Sequence, residues 1–360
     1  MKIVTVLGTR PEIIKLSPLI PLLGEEFKHI IIHTGQHYDH NMDKVFFNEL
    51  HLPLPNYALN IGSHSQGKQT GLMLQQIETI FLEEKPGLVI VQGDTNTTLA
   101  GALAASKLHL PLIHLEAGCR SFNRQMPEEI NRIVVDHIAD YLIAPDQKSV
   151  NNLLHEGINK NNIFLLGSTA FDATLRNKDL IDTNEVLNHF SLRKKEFILV
   201  TLHRAENTND LNKLNNIISA LNELSEFITF VFPLHPRTKK IVDDNNIIVN
   251  NKIKMIAPQS YLSFLALLSS CKFCISDSGG IQEEAIVFNV PCLIPREETE
   301  WTRLVDAGKN ILMGTNTERI VTTVRNLLSE TKLQKIKERK CHYEAGVSEK
   351  IIKLIKQIKK

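Results

Sequence analysis

Three carboxylates stand at successive loop positions in the first half of the chain. Asp94 lies in Gly93-Asp94-Thr95, Glu116 in Glu116-Ala117-Gly118, and Glu128 in Met126-Pro127-Glu128-Glu129. Singly each has a bland reading, Asp94 as a helix cap and Glu128 as a first-turn acid that suits the helix dipole. Together on one sheet edge they suit paired acid–base work, in which one group takes a proton and another returns it. Arg132 follows Glu128 by one helical turn, on the same face. Arg10 and Lys15, just after Gly8-Thr9, can reach an anion at the end of the first apolar run.

Residues suited to anions dominate the second half. Ser278-Gly279-Gly280 follows the apolar run 271–276 and opens a helical pattern. At such a turn, backbone N–H groups and the helix N-terminus approach a phosphate closely, with no Cβ in the way. One helical turn later, Glu283 or Glu284 is placed to accept hydrogen bonds from ribose hydroxyls. His203-Arg204 and His235-Pro236-Arg237 each follow an apolar strand. Two His–Arg stretches favour a diphosphate site. A metal site is not expected, because the histidines come from different loops without ligand spacing. Gly8-Thr9-Arg10-Pro11-Glu12 is not a GxGxxG fingerprint, so no nicotinamide or flavin cofactor is indicated. Cys271 and Cys274 form a CxxC, but strand spacing i, i+3 points them to opposite faces, which favours two buried thiols in a reducing cytoplasm.

Positioning these residues requires alternating strands and helices. Apolar runs at 2–7, 29–33, 88–92, 111–115, 140–144 and 163–167 read as strands, with helices between them at 11–23, 40–50, 67–82, 95–108, 127–139 and 147–155. The polar stretch 176–195 breaks this rhythm and reads as a connection. Strands resume at 197–201, 228–232, 253–256, 272–276, 291–294 and 310–313. That pattern predicts an α/β protein of two Rossmann-like, doubly wound domains, 1–175 and 196–331, with a ligand in the cleft between them. A helical tail, 332–360, can cross back to the first domain.

Bulk properties exclude other classes. The chain has 360 residues, enough for two domains of ordinary size. Lys+Arg 41 against Asp+Glu 40 leaves a net charge of +1, so no nucleic-acid or acidic-membrane partner is expected. The N-terminus reads as a strand with no signal peptide, and no window of about 18 apolar residues suggests a membrane span. A cytoplasmic location is expected.

With these residues assembled, the sequence resembles the non-hydrolysing UDP-N-acetylglucosamine 2-epimerase family. GTRPE at 8–12, TGQH at 34–37, GDT at 93–95, HLEAGCR at 114–120, MPEEINR at 126–132, HRAEN at 203–207 and DSGGIQEEA at 277–285 occur in family order. The resemblance implies a GT-B-like pair of domains around a UDP-sugar, a homodimer, and inversion at sugar C2 without a redox cofactor. It implies Asp94, Glu116 and Glu128 as the acid–base set, with His203 assisting near the diphosphate. It also implies that Arg10, Lys15, Ser278, Gly279 and Gly280 hold phosphates and Glu284 the ribose.

Two departures from the family pattern carry expectations. Thr299-Glu300-Trp301 is a form shared with relatives that act on diacetamido-uronic acid nucleotides, so a 2-epimerase of such a sugar is the alternative. A glycosyltransferase using the same UDP cradle, or a non-catalytic sensor, would not need three carboxylates. The second departure concerns the activating UDP-GlcNAc site of many relatives. Gln36 and His37 match it, but Asp39 stands at its third position and the loop 62–66 lacks its arginine, with only Lys68 nearby. Loss of that activation is expected.

Overall fold

The computed structural model describes residues 1–36, 40–234, 236–299, 301–341 and 343–358, and only the backbone of 40–44, 205 and 236. Two compact units emerge, Met1–Arg176 with Tyr343–Lys360, and Asn177–His342.

The first unit holds seven parallel strands: β1 (Lys2–Leu7), β2 (Lys28–His33), β3 (Tyr57–Ala58), β4 (Leu88–Gln92), β5 (Leu112–Leu115), β6 (Tyr141–Ala144) and β7 (Ile163–Leu165). Their order is β3-β2-β1-β4-β5-β6-β7. Val4 pairs with Ile30 on one side and Val89 on the other, so the winding direction reverses between β1 and β4. All residues of β4 are buried, as a parallel sheet covered on both faces requires.

The second unit repeats the plan with β8 (Phe197–Thr201), β9 (Thr229–Pro233), β10 (Ile253–Ile256), β11 (Cys274–Ser276), β12 (Cys292–Ile294) and β13 (Asn310–Leu312). The order β10-β9-β8-β11-β12-β13 puts its reversal between β8 and β11. In such sheets, ligands gather at the carboxyl ends of the strands flanking the reversal. Arg10 follows β1, Asp94 follows β4, His203 follows β8 and Asp277 follows β11.

Several elements differ from the sequence reading, each for a local reason. The helix expected over 11–23 is two helices, Arg10–Leu16 and Leu19–Glu26. Pro18 has no N–H to continue the hydrogen-bond ladder of the first one. β3 is only two residues long and escaped notice. The run from Cys271 is not all strand, because Cys271 caps the helix Tyr261–Ser270. Its burial therefore owes nothing to strand alternation, and burial pushes its thiol up to about 12. Within the polar stretch 176–195, the helix Thr183–His189 forms and packs against Tyr261–Ser270 in the second unit.

The C-terminal segment that joins the first unit starts at Tyr343. The helix Glu330–Lys337 stays with the second, where Leu333 and Ile336 are part of the apolar core. The last helix, Val347–Ile358, packs against Leu19–Glu26 and fully buries Val347, Ile351 and Ile355. Each such side chain is worth about 1.5–3 kcal/mol. Asp172 caps this helix, accepting from the amides of Gly346 at 2.8 Å and Ser348 at 2.7 Å. Tyr343 stacks on Phe171 with ring centroids 5.1 Å apart. Gly167 keeps room for the tail: a Cβ there would lie 2.8 Å from Cγ2 of Val347.

Candidate active site

A cavity of about 430 Å³ opens within the first unit, lined by Thr9, Glu12, Lys15, Gln36, His64, Gln66, Gln92, Asp94, Asn96, Glu116, Glu128 and Asn131 among others. Its size is ordinary for a small-molecule site. Lys15, on the helix after β1, brings its ammonium 2.7 Å from Oε1 and 2.8 Å from Oε2 of Glu116. Glu116 itself has φ +66°, the left-handed region that side chains other than glycine seldom adopt. Such strain tends to collect where a side chain must be aimed.

Asp94 is held from the neighbouring helix, Pro127–Ile138. Arg132 donates to its Oδ2 at 2.5 Å, and Asn131 donates to its backbone carbonyl at 2.8 Å. The guanidinium is fixed in turn by Glu129, 2.8 Å away. Burial works against the charge on Arg132, but Asp94 and Glu129 outweigh it and raise its pKa. Glu129 also accepts from the amides of Ser121 at 2.9 Å and Phe122 at 2.8 Å. Burial would lift its carboxyl, and these donors bring it below its ordinary value. Glu128, next in sequence, is exposed at the cavity and has no hydrogen bond or ion pair among the described residues.

Glu12 anchors the wall. One carboxylate oxygen accepts from the amides of Gly8 and Thr9, both at 2.8 Å, and the other from Oγ1 of Thr95 at 2.7 Å. Burial pushes this carboxyl up, and those donors work in the opposite direction. The turns after β1 and β4 are thereby tied together.

In the second unit, Asp277 plays the corresponding part. Fully buried, it accepts from the amides of His203 at 3.1 Å and Arg204 at 3.1 Å and from Nδ2 of Asn207 at 3.1 Å. The His203 ring turns Nδ1 to the same carboxylate at 3.0 Å, with the side chain 42% exposed. Burial would raise Asp277, but His203 and the two amides hold it below the usual carboxylate range. The helix Gly279–Val287 starts immediately afterwards, with Ser278 at its N-cap. A Cβ on Gly279 would stand 3.0 Å from Nε1 of Trp301 and 3.7 Å from Nη2 of Arg204. Glu283 is fully buried, 3.5 Å from Arg303, whereas Glu284 is half-buried.

A profile of the UDP-N-acetylglucosamine 2-epimerase family matches residues 23–356. The UDP-N-acetylglucosamine 2-epimerase of Methanocaldococcus jannaschii is 48% identical over 340 residues, covering 92% of this chain and 93% of that protein. This chain belongs to the UDP-N-acetylglucosamine 2-epimerase family. As a member it is an isomerase, and its fold is the GT-B-like α/β arrangement of that family. The M. jannaschii epimerase solved with UDP-GlcNAc and UDP superposes with a TM-score of 0.89 at 46% identity, covering 99% of this chain and 100% of that one. The UDP-2,3-diacetamido-2,3-dideoxy-D-glucuronate 2-epimerase of Pseudomonas aeruginosa is 43% identical over 337 residues, covering 92% of this chain and 93% of that protein.

In this epimerase-family chain, Asp94, Glu116, Glu128 and Lys15 line one cavity, and Arg132 reaches it through Asp94. Arg10, the first residue of the helix after β1, is not among the residues that line the cavity, and its guanidinium carbon lies 5.3 Å from the Phe46 ring centroid. His203, Ser278 and Gly279 come together around Asp277, with Gly280 and Glu284 on the helix that follows. Arg237 is exposed and donates to Asn209 at 2.7 Å, and Thr238 beside it donates to the carbonyl of Leu202 at 2.8 Å. His235, His37, Asp39 and Glu300 lie outside the described residues. Among the described residues no helix is long and apolar enough to cross a membrane, and no group of three His, Cys, Asp or Glu is placed to hold a metal ion.

Sequence reasoning assigned no role to Glu12 or Asp277, and read Trp301 only as part of a form shared with relatives acting on diacetamido-uronic acid nucleotides. Glu12 had a signal, the Thr9-x-x-Glu12 spacing of a capping box. Asp277 had none, because its partner is 74 residues away, and the approach of Trp301 to Gly279, 22 residues away, was equally unreadable.

Proposed function

We propose that the protein interconverts UDP-N-acetylglucosamine and UDP-N-acetylmannosamine by elimination and re-addition of UDP, serving surface polysaccharide precursor synthesis. The C2 hydrogen of the sugar is beside an N-acetyl group and is not acidic. Breaking the C1–O bond to UDP gives C1 oxocarbenium character, which acidifies the neighbouring hydrogen. A carboxylate then removes it, leaving 2-acetamidoglucal and UDP. Protonation of C2 from the opposite face and return of UDP to C1 give the epimer.

One observation carries this reading: three carboxylates line a single cavity in three different settings. Glu116 is oriented by Lys15, Asp94 by Arg132, and Glu128 is uncommitted. Proton removal on one face and delivery on the other requires at least two such groups. Glycosyl transfer would need only an acceptor base. The second unit supplies the cradle for UDP in this reading. Ser278, the amides of Gly279 and Gly280 and the helix N-terminus receive the diphosphate, Glu284 the ribose, and His203 assists the departing phosphate. Arg10 and Lys15 add positive charge.

The similarity to the P. aeruginosa diacetamidoglucuronate epimerase, together with Trp301 against Gly279, supports a second reading with that class of sugar nucleotide. Proton NMR of purified protein with each sugar nucleotide distinguishes the two. Appearance of the manno epimer from UDP-GlcNAc alone is expected. Conversion of the diacetamido-uronate only would favour the second reading, and conversion of neither would reject both.

A further inference from the structure

A chain of four ionisable side chains, His114, Asp136, Arg120 and Glu156, the first three buried, has no part in the chemistry above. His114, the third residue of β5, has 0% exposure, and both of its ring nitrogens meet acceptors. Nε2 is 2.8 Å from the carbonyl oxygen of Gly93, and Nδ1 is 2.7 Å from Oδ1 of Asp136. A carbonyl only accepts, so Nε2 carries a hydrogen. Asp136 already takes the Gly118 amide at 3.0 Å and Nη1 of Arg120 at 2.7 Å on its other oxygen, which suits a carboxylate. Burial would raise the Asp136 carboxyl, yet His114 and Arg120 hold it below its ordinary value. With Asp136 accepting N–H donors on its other oxygen, the geometry at Nδ1 suits a second donor, the hydrogen-bonding pattern of a doubly protonated ring. Arg120 closes on Glu156 through bonds of 2.8 and 2.6 Å, which with such a ring leaves two cations balancing two anions.

This chain touches the backbone next to Asp94 and close to Glu116. Gly93, with φ +75°, receives His114 on its carbonyl, and its amide donates to Leu115 at 3.0 Å. Gly118, with φ +81°, donates its amide to Asp136. Asp94 follows the first glycine, and Glu116 precedes the second by two residues. A neutral ring could donate only once, leaving either the Gly93 carbonyl or the Asp136 carboxylate facing a lone pair.

We propose that His114 is a positioning residue for the acid–base set: as an imidazolium clamped by Asp136, it fixes the peptide between Gly93 and Asp94 and so the aim of Asp94 relative to Glu116. The inference rests on reading those two carboxylates as acid–base partners. Misplacing a reacting group by about 1 Å can cost roughly 100-fold in rate, so a rigid clamp here has a kinetic effect without touching substrate.

Two substitutions separate the clamp from general stability. His114→Gln places an amide nitrogen where Nε2 stands and keeps a donor for Gly93. His114→Asn places one where Nδ1 stands and keeps only the bond to Asp136. Exchange of the sugar C2 hydrogen in D2O is expected to fall about 100-fold in the Asn variant and about 10-fold or less in the Gln variant. UDP affinity should stay within about 2-fold of wild type in both, since nothing in the UDP cradle is altered. Equal rates in the two variants, or a parallel loss of UDP affinity, would overturn the proposal. The 15N spectrum of histidine-labelled wild-type protein at neutral pH decides the charge state even if a variant does not fold. The His114 signals, assigned by their disappearance in the Gln variant or by through-bond correlation, should be those of a doubly protonated ring, and a neutral tautomer would overturn the clamp. Wild-type protein that exchanges no C2 hydrogen would instead reject the epimerase reading itself, a failure distinct from equal rates in the variants.

Discussion

At the scale of single residues, the three cavity carboxylates differ in what holds them, and their substitutions should differ accordingly. Asp94→Asn, Glu116→Gln and Glu128→Gln are each expected to lower kcat by about 100-fold or more while UDP still binds, measured by epimerisation rate and calorimetric titration. Folding should be untouched in Glu128→Gln, whose carboxylate is exposed. Near-wild-type turnover in any one of them would remove that residue from the set. The gathering of Asp94, Glu116 and Glu128 in one cavity was legible in sequence because Asp94 and Glu116 follow recognisable strands and Glu128 opens a recognisable helix. Glu283 and Glu284 were not distinguishable there, since both fall one turn into the same helix. Packing separates them: Glu283 goes inward toward Arg303, and Glu284 stays half-buried. The roles of Asp277 and His114 were invisible because each depends on partners that only folding brings near.

At the scale of elements, the turns at the strand ends are fixed by buried carboxylates, and this has a pH consequence. Asp136 and Asp277 both have pKa values below the ordinary carboxylate value in the folded protein. A group depressed on folding contributes stability that is present above its unfolded pKa and is lost as pH falls through its folded one. The melting temperature should therefore fall as pH drops below about 4, where unfolded Asp takes up its proton. Asp277→Asn should lose much of this dependence, and an unchanged acid profile would contradict the assignment. Gly118 gives a steric test. With φ +81° and a hypothetical Cβ 2.3 Å from the carbonyl oxygen of Ser149, Gly118→Ala must displace backbone. A marked drop in melting temperature is expected, unlike Gly71→Ala, where nothing lies within 4 Å. Every strand but the two-residue β3 was readable from apolar runs, whereas strand ends were not. Cys271 shows why, since an apolar residue just before a strand serves as well to cap a helix.

At the scale of the whole molecule, the chain returns to its first unit at Tyr343, and Asp172 fastens that return. Asp172→Ala removes both acceptors from the start of the last helix and is expected to cost about 1–2 kcal/mol, read as a lower melting temperature and faster proteolysis near residue 343. Unchanged proteolysis would show that the apolar face alone holds the tail. The two-unit plan was legible because strand and helix patterns restart at Phe197. The point of return was not, because Leu333 and Ile336 follow the same helical spacing as the tail itself. Regulation also belongs to this scale. The loop 62–66 has no arginine, so the rate from UDP-ManNAc should be linear from the start without added UDP-GlcNAc. A lag abolished by a trace of UDP-GlcNAc would contradict that expectation.

The central claim is that UDP leaves C1 and comes back, and positional isotope exchange tests it most directly. UDP-GlcNAc carrying 18O in the bridge between C1 and the β-phosphorus is incubated with the enzyme, and the recovered sugar nucleotide is followed by 31P NMR. Cleavage of the C1–O bond frees the β-phosphate to rotate, so 18O should spread into its non-bridging positions in step with epimerisation. Epimerisation at C2 with all of the 18O still in the bridge would contradict the elimination mechanism.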